Sequence, residues 1–305
     1  MEAKQIFSRI AWAYVAYLVI SAVVQLLLGI MLGTVQTFIP GFETGDTLIL
    51  FLSMFSMYAV AFPVFCLLMS RIPAWHKIDP KSVSLPHMVL IFLVCAGVSI
   101  AGNLIGNMLM FTRELVFGTE TVNPVNDLVQ SMDLWTMILF TVVLAPAVEE
   151  VMFRKLLIDR LIPYGQGFAV VVSGLSFGLF HGNFYQFFYA CGLGMIFAYL
   201  YSCTGRLRYN IILHMVFNTV GGVLPLALLQ GIDAGNGLAY FGVLLLPAWQ
   251  MVAFVGTIVI VCLCFKKLSW MRAWKIPAGG AGKTLLKTPG VWAFLFVSIL
   301  QFLAV

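Results

Sequence analysis

Glu149, Glu150 and Arg154 lie within one long apolar segment of this 305-residue chain, in which 10% of the residues are charged. An ionisable side chain at membrane depth costs at least about 2.5 kcal/mol, so it usually faces the protein interior and marks a functional site. Two histidines, His181 and His214, interrupt later apolar segments in the same way. Together these residues predict one buried polar site that is assembled from several helices.

The spacing of the two glutamates and the arginine predicts different roles for the two carboxylates. Glu149 and Glu150 are separated by about 100° around a helix, whereas Glu150 and Arg154 are four residues apart and share a face. Glutamate before arginine is the favourable order for such an ion pair. We therefore expect Glu150 to pair with Arg154 and Glu149 to remain free as a general base. The alternative is an architectural ion pair beside a glutamate that has no chemical role.

His214 and Asn218 are also four residues apart, and we expect them to converge on one point. Imidazole and carboxamide N–H groups are donors of the kind that stabilises an oxyanion in acyl transfer. The alternative is that each forms a polar contact between helices, worth about 0.6 kcal/mol on average. For His181 the alternative is a hydrogen-bonded core histidine. Pro146 removes a backbone donor just before the glutamates, so we also expect a freed carbonyl near the site.

The composition indicates that these residues are carried by membrane helices. Hydrophobic residues make up 62% of the chain and the mean hydropathy is +1.02, against roughly 45–50% apolar residues in soluble domains. Because about 20 apolar residues span a bilayer, we predict an all-α, polytopic transmembrane helix bundle of about eight or nine spans. The candidate spans lie near residues 10–33, 47–70, 87–111, 135–159, 167–182, 184–202, 210–230, 238–265 and 291–305, of which the fifth and last are short. The first is too long for the apolar region of a signal peptide, which predicts that it is retained.

The distribution of basic residues predicts a cytoplasmic N-terminus. With that orientation, sixteen of the seventeen lysines and arginines fall on the cytoplasmic side, and Arg113 is the exception. This is the positive-inside bias of multi-pass proteins. The net charge of +5 then reflects topology and contact with anionic lipid. The partners expected are the lipid bilayer and a substrate, with no nucleic acid, and the expected location is a bacterial cell membrane because the chain is compact and carries no targeting extension.

Three further patterns narrow the function. The six cysteines lie in or beside apolar spans without a C-x-x-C pair, which argues against a disulfide framework or a zinc ribbon. No GxxxxGK[ST] or GxGxxG phosphate loop follows a strand pattern, which argues against a nucleotide-driven pump. Gly174, Gly178 and Gly182 form a small-residue stripe, which predicts that another helix packs closely against it.

Three motifs in order now define a resemblance. EEVMFR (149–154) matches Glu-Glu-x-x-x-Arg, FGLFH (177–181) matches Phe-x-x-x-His, and HMVFN (214–218) matches His-x-x-x-Asn. The chain therefore resembles the CPBP family of intramembrane endopeptidases, which includes the CAAX prenyl proteases and bacteriocin-processing or self-immunity proteins. The resemblance implies a protease core of four helices over residues 135–230. The segments 1–134 and 231–305 are then flanking transmembrane helices without a recognisable motif.

The resemblance also implies a role for each motif residue. Glu149 and His181 would activate a water for attack on a peptide carbonyl in a membrane-associated or lipidated substrate. The other motif residues would support that step, with His214 and Asn218 stabilising the oxyanion and Glu150 and Arg154 ordering the site. No cofactor is expected, because water activated by glutamate requires no metal. A zinc-dependent version of the same protease is the alternative, but no His-Glu-x-x-His pair is present to supply ligands on one helical face.

Two other classes of function remain open at this stage. A non-catalytic immunity or scaffold protein would retain the motifs for structure alone. A transporter would use the same ionisable residues to carry protons or substrate, but transporters often contain internal repeats and the polar pattern here is not duplicated.

The depths of the motif residues predict an irregular fifth span. Arg154 and Lys155 place the glutamates near the cytoplasmic end of the fourth span. His181 ends a segment that enters from the cytoplasm near residue 167, which in a straight helix places it about 20 Å further along. We therefore expect the fifth span to be tilted, to begin above the membrane, or to form a re-entrant pair with the sixth.

Overall fold

The computed structural model describes residues 2–39, 41–74, 78–118, 121, 123, 132–264 and 280–303. The helices are α1 (Ala3–Phe38), α2 (Asp46–Ser70), α3 (Leu85–Phe117), α4 (Leu134–Tyr164), α5 (Gln166–Phe180), α6 (Phe184–Thr204), α7 (Leu207–Asp233), α8 (Gly237–Cys264), α9 (Ala281–Leu286) and α10 (Pro289–Leu303). Among the described residues there is no strand, so the predicted all-α class is confirmed. Several basic residues in the charge argument lie outside the described residues, namely Lys77, Lys266, Lys267, Arg272 and Lys275.

Seven of these helices are long and apolar enough to cross a membrane. The predicted fifth and ninth spans correspond to α5 and α10, which have 15 residues each. At 1.5 Å per residue such a helix is about 22 Å long, shorter than the hydrocarbon core of about 30 Å. These two elements are therefore short apolar helices packed against the longer ones.

The outer surface of the bundle is apolar. In α8, only 11% of the most hydrophobic 18-residue window is buried inside the protein, and large residues such as Leu244, Met251 and Val255 are exposed. A soluble monomer rarely exposes apolar area on this scale. The chain is therefore a multi-pass membrane protein whose outer helices face lipid.

The helix that carries the glutamates is not a regular α-helix. α4 contains two π-helical segments, Ile138–Leu144 and Val151–Leu156. The first ends just before Pro146, which has no N–H to donate to the preceding turn. The second begins directly after Glu150 and contains Arg154. Such π segments are rare and are frequently found at functional sites.

α5 and α6 form a closely packed antiparallel pair, as the glycine stripe predicts. A Cβ atom built on Gly174 would lie 2.9 Å from the carbonyl oxygen of Cys191, and one on Gly178 would lie 2.9 Å from that of Phe187. Gly182 has a φ of +65°, in the left-handed region that glycine adopts most easily, and lies in the turn between the two helices. The predicted role of the stripe in helix packing is confirmed.

α4 is longer than the predicted fourth span. The helix extends to Tyr164, beyond the predicted end near residue 159, so Arg154 lies ten residues before its end. The Ser173 hydroxyl donates to the carbonyl of Phe153 at 2.8 Å. Since α5 runs antiparallel to α4, the residues of α5 that follow Ser173 lie beside the residues of α4 that precede Phe153, where the glutamates are. α5 has 15 residues and is joined to α6 by a turn at Gly182, and the expectation that it is tilted, begins above the membrane or forms a re-entrant pair with the sixth span stays a prediction.

Candidate active site

The Glu150–Arg154 ion pair that the spacing predicts is present and fully buried. Arg154 Nε lies 3.0 Å from Glu150 Oε2, and both side chains have no exposed surface. The contact is an ion pair without hydrogen-bond alignment, because no nitrogen of the guanidinium has a hydrogen-bond partner among the described residues. The guanidinium instead lies over Phe177, with Cζ 4.5 Å from the ring centroid, and 5.3 Å from that of Phe197. Cation–π attraction is stronger away from water, so the two rings partly compensate the missing donors.

His214 connects the two glutamates. Its Nδ1 lies 2.9 Å from Glu150 Oε1, and its Nε2 lies 3.8 Å from Glu149 Oε2. Because a carboxylate only accepts, Nδ1 carries the proton in the contact with Glu150. Nε2 then bears a lone pair in neutral imidazole and becomes a donor only when the ring is protonated. Glu149 is the more accessible carboxylate, with 16% of its side chain exposed against none for Glu150.

His181 lies beside His214 and is held by a single backbone contact. Its Nδ1 lies 2.7 Å from the carbonyl oxygen of Phe177. A carbonyl accepts, so Nδ1 is the protonated nitrogen and Nε2 is the acceptor in the neutral ring. The Phe177 ring lies between the two histidines, with ring-centroid distances of 4.8 Å to His181 and 5.9 Å to His214. One phenylalanine therefore orients both imidazoles and supports Arg154.

Asn218 occupies a different place from the one its spacing predicts. It lies one turn beyond His214, but its amide nitrogen donates to the carbonyl of Thr141 at 2.7 Å. Thr141 precedes Pro146 by five residues, the hydrogen-bond spacing of a π-helix, and Pro146 has no N–H to offer. The freed carbonyl expected near the site is therefore bound by Asn218. In this structure His214 Nδ1 is bound to Glu150 and one Asn218 amide proton to Thr141, so the expected convergence of their donors on an oxyanion stays a prediction.

Two residues outside the motifs support the π-helical segment that carries Arg154. The Tyr14 hydroxyl of α1 donates to the carbonyl of Met152 at 3.0 Å, and the Ser173 hydroxyl donates to that of Phe153. All these groups are buried, and a buried carbonyl without a donor costs about 1–3 kcal/mol. Sequence analysis did not select Tyr14 or Ser173, although a hydroxyl at helical spacing in an apolar segment is the signal that marks such residues.

The donor groups do not form a metal site in the part of the chain that the structure describes. No group of three or more His, Cys, Asp or Glu side chains there has an arrangement that could hold a metal ion. Glu150 is engaged by Arg154 and His214, and the Nδ1 atoms of both histidines are turned toward other acceptors. The Nε2 atoms of both histidines keep their lone pairs, so the zinc alternative stays a prediction that is tested by removing metal.

Fold and site together define the class of protein as a polytopic helical membrane protein with a buried Glu-Arg-His site. Residues 131–220 match the Rce1-like family, described as type II CAAX prenyl endopeptidase Rce1-like. This segment contains all three motifs and overlaps most of the predicted core of 135–230. The resemblance is confirmed for this segment, which is similar to the type II CAAX prenyl endopeptidases that the family model describes.

Two curated bacterial relatives match over a similar length. YdiL of Bacillus subtilis (strain 168), named as a membrane peptidase, is 29% identical over 116 residues, which is 36% of this chain and 47% of its own length. The membrane-embedded CAAX protease MroQ of Staphylococcus aureus (strain USA300) is 30% identical over 112 residues, 34% of this chain and 45% of its own length. The chain thus spans about half the length of these relatives. No solved structure matches it.

Proposed function

We propose that this protein is an intramembrane endopeptidase that hydrolyses a peptide bond in a membrane-associated or lipidated substrate. The observation that carries the proposal is the chain of contacts from Arg154 through Glu150 and His214 to Glu149, buried in the family-matched segment. Three of its four members have almost no exposed surface, and the fourth, Glu149, is partly accessible. This is the arrangement expected when one carboxylate is fixed by partners so that the other can act on water.

In the proposed reaction, Glu149 accepts a proton from a water molecule while the water oxygen attacks the substrate carbonyl. His181 offers the lone pair of Nε2 to the same water, because its Nδ1 proton is committed to the Phe177 carbonyl. Collapse of the tetrahedral intermediate breaks the C–N bond, and the proton held by Glu149 passes to the leaving amine. We propose that this reaction uses no metal ion.

Stabilisation of the oxyanion requires donors that are free or that become free. His214 Nε2 donates only from the protonated ring, when it can leave Glu149 and turn to the substrate. Asn218 has two amide protons, and the Thr141 carbonyl is the acceptor shown for its nitrogen. We propose that the second amide proton of Asn218 points to the oxyanion. Asn218 then has both the role that the resemblance implies and a structural bond to Thr141.

The proposal is tested by finding cleavage that depends on Glu149. Membranes of cells that express the wild-type chain are compared with those of cells expressing Glu149→Gln, by quantitative proteomics of intact proteins and new N-termini. Glu43→Gln is the matched control, because Glu43 is exposed in the loop between α1 and α2. At least one membrane protein is expected to accumulate uncut in Glu149→Gln cells only. Identical sets of N-termini in all three strains would contradict the proposal.

A further inference from the structure

Tyr17 of α1 is a buried residue near the site, and it belongs to none of the three motifs. Its side chain is 1% exposed, yet its hydroxyl has no hydrogen-bond partner among the described residues. A buried hydroxyl that makes no bond carries a penalty of about 1–3 kcal/mol. Native structures contain few such groups, and each requires an explanation, of which a role in catalysis is one.

The packing of α1 against α4 places Tyr17 level with the glutamates. The ring of Phe7 contacts that of Tyr164 at a centroid distance of 4.8 Å, and the ring of Tyr14 contacts that of Phe153 at 5.3 Å. Higher residue numbers in α1 therefore meet lower numbers in α4, and the two helices are antiparallel. Tyr17 lies three residues, about 4.5 Å, beyond Tyr14 on the same face.

The same register follows from the hydrogen bond that fixes α1. The Tyr14 hydroxyl is bound to the carbonyl of Met152, and three residues before Met152 along α4 comes Glu149. By this register, Tyr17 lies at about the height of Glu149 in the neighbouring helix. Tyr17 is thus a residue outside the family-matched segment that lies beside the part of α4 containing Glu149.

Aromatic contacts hold the Tyr17 ring next to the histidine-bearing end of α5. The ring centroid lies 5.3 Å from that of Phe180, the residue directly before His181, and 6.1 Å from that of Phe65 in α2. Phe180 in turn contacts Phe153 at 5.2 Å. The ring is thus fixed on both sides, so a hydroxyl held at this position loses little side-chain entropy when it binds a ligand.

Two other tyrosines, Tyr58 and Tyr189, are less suited than Tyr17 to donate a hydrogen bond to a ligand. Tyr58 lies in α2 and Tyr189 lies in α6, and both are only partly buried. The Tyr189 hydroxyl also has a partner already, since it accepts a hydrogen bond from the amide nitrogen of Gln186 at 2.8 Å. Tyr17 alone among these three combines full burial with a hydroxyl whose proton is uncommitted.

We propose that Tyr17 is a further catalytic residue, whose hydroxyl donates a hydrogen bond to the oxyanion formed when water attacks the substrate carbonyl. The inference rests on the proposed function and adds a donor to those proposed for Asn218 and protonated His214. In the free protein His214 Nδ1 is bound to Glu150 and an amide proton of Asn218 to Thr141. A preorganised donor that binds only the developing charge lowers the barrier without strengthening substrate binding.

The test compares purified Tyr17→Phe with wild type in lipid nanodiscs. The substrate is a synthetic peptide spanning a cleavage site that disappears in Glu149→Gln cells. Tyr17→Phe is expected to lower kcat by about 10²-fold with KM little changed. Its melting temperature is expected to be unchanged or higher, because the hydroxyl makes no bond in the free protein. Tyr240→Phe, which alters an exposed tyrosine of α8, is the control and keeps both values.

Two other outcomes would overturn the inference about Tyr17, and a third would overturn the proposed function. A kcat within about threefold of wild type overturns the inference while leaving Glu149-dependent cleavage intact. Loss of activity together with a lower melting temperature also overturns it, since the hydroxyl then serves the fold. If no cleavage depends on Glu149, the proposed function fails first and the role of Tyr17 fails with it.

Discussion

At the scale of single residues, the two adjacent glutamates are distinguished by their partners. Glu150 contacts both Arg154 and His214, whereas the ion pair of Glu149 among the described residues is the longer contact to His214. We expect Glu149→Gln and His181→Ala to abolish cleavage and to leave the melting temperature near that of wild type. Arg154→Ala removes one side of a fully buried ion pair, which typically lowers the free energy of unfolding by about 3–5 kcal/mol. Thermal unfolding in detergent and peptide cleavage are measured in parallel.

Two results would contradict these separate roles of Glu149 and Arg154. If Glu149→Gln retains full turnover, the assignment of the general base is wrong. If Glu149→Gln and Arg154→Ala lose equal stability, the two positions belong to one structural network without separate functions.

Asn218 is predicted to have a structural effect as well as a catalytic one. Asn218→Ala leaves the Thr141 carbonyl without its donor, and we expect a loss of about 1–3 kcal/mol in the free energy of unfolding. If the second amide proton also serves the oxyanion, kcat falls by about 10²–10³-fold with little change in KM. A destabilised variant with nearly normal kcat would restrict Asn218 to the support of α4.

Dependence on metal separates the two versions of the mechanism. With Glu149 and His181 acting directly on water, purified protein is expected to keep its activity after exhaustive chelation and to contain substoichiometric zinc. Metal content is measured by mass spectrometry before and after dialysis against chelator. Stoichiometric zinc that is lost together with activity, restored on addition of zinc, and absent from His214→Ala would replace the glutamate-water mechanism by a metalloprotease.

At the scale of elements, the close contact of α5 with α6 sets the position of His181. A Cβ atom on Gly178 would lie 2.9 Å from the Phe187 carbonyl oxygen, a backbone atom that moves only with its helix. We expect Gly178→Ala to lower the free energy of unfolding by about 1–3 kcal/mol and to reduce cleavage. Gly33→Ala is the matched control, because nothing lies within 4 Å of the added atom. Equal melting temperatures for the two variants would contradict the packing argument.

The π-helical irregularity of α4 also belongs to the scale of elements. Two π-helical segments flank the glutamates, and each leaves carbonyls that are bound from other helices, Thr141 by Asn218 and Met152 by Tyr14. The motif helix is thus held in an irregular conformation by α1 and α7. This explains why polar residues that are distant in sequence meet at one level of the bundle.

At the scale of the whole molecule, the orientation in the membrane remains a prediction from the basic residues. Single cysteines are placed at Glu43 and at Lys81, two exposed loop positions, in a background without native cysteines. A reagent that does not cross the membrane is expected to label position 81 only from the cytoplasmic side and position 43 only from outside. The reverse pattern would overturn the assignment of a cytoplasmic N-terminus.

The sequence by itself determined the class of the fold and the choice of candidate site residues. A mean hydropathy of +1.02 and apolar segments of spanning length leave helices as the structure that satisfies backbone groups in lipid. The four-residue spacing of Glu150 and Arg154 was sufficient for their ion pair, because neighbours on one helix face depend only on local geometry. The order of the three motifs was sufficient for the resemblance to the family, because such motifs are read from the sequence alone.

Only the tertiary structure decided which groups bind each other across helices. The contact of His214 with Glu150 and the bond from Asn218 to Thr141 join residues 64 and 77 positions apart. Helical spacing cannot predict such contacts, because they depend on the rotation and relative height of separate helices. The approach of Tyr17 to Glu149 is of the same kind. It follows from the antiparallel packing of α1 on an irregular α4, and neither helix encodes that register in its own residues.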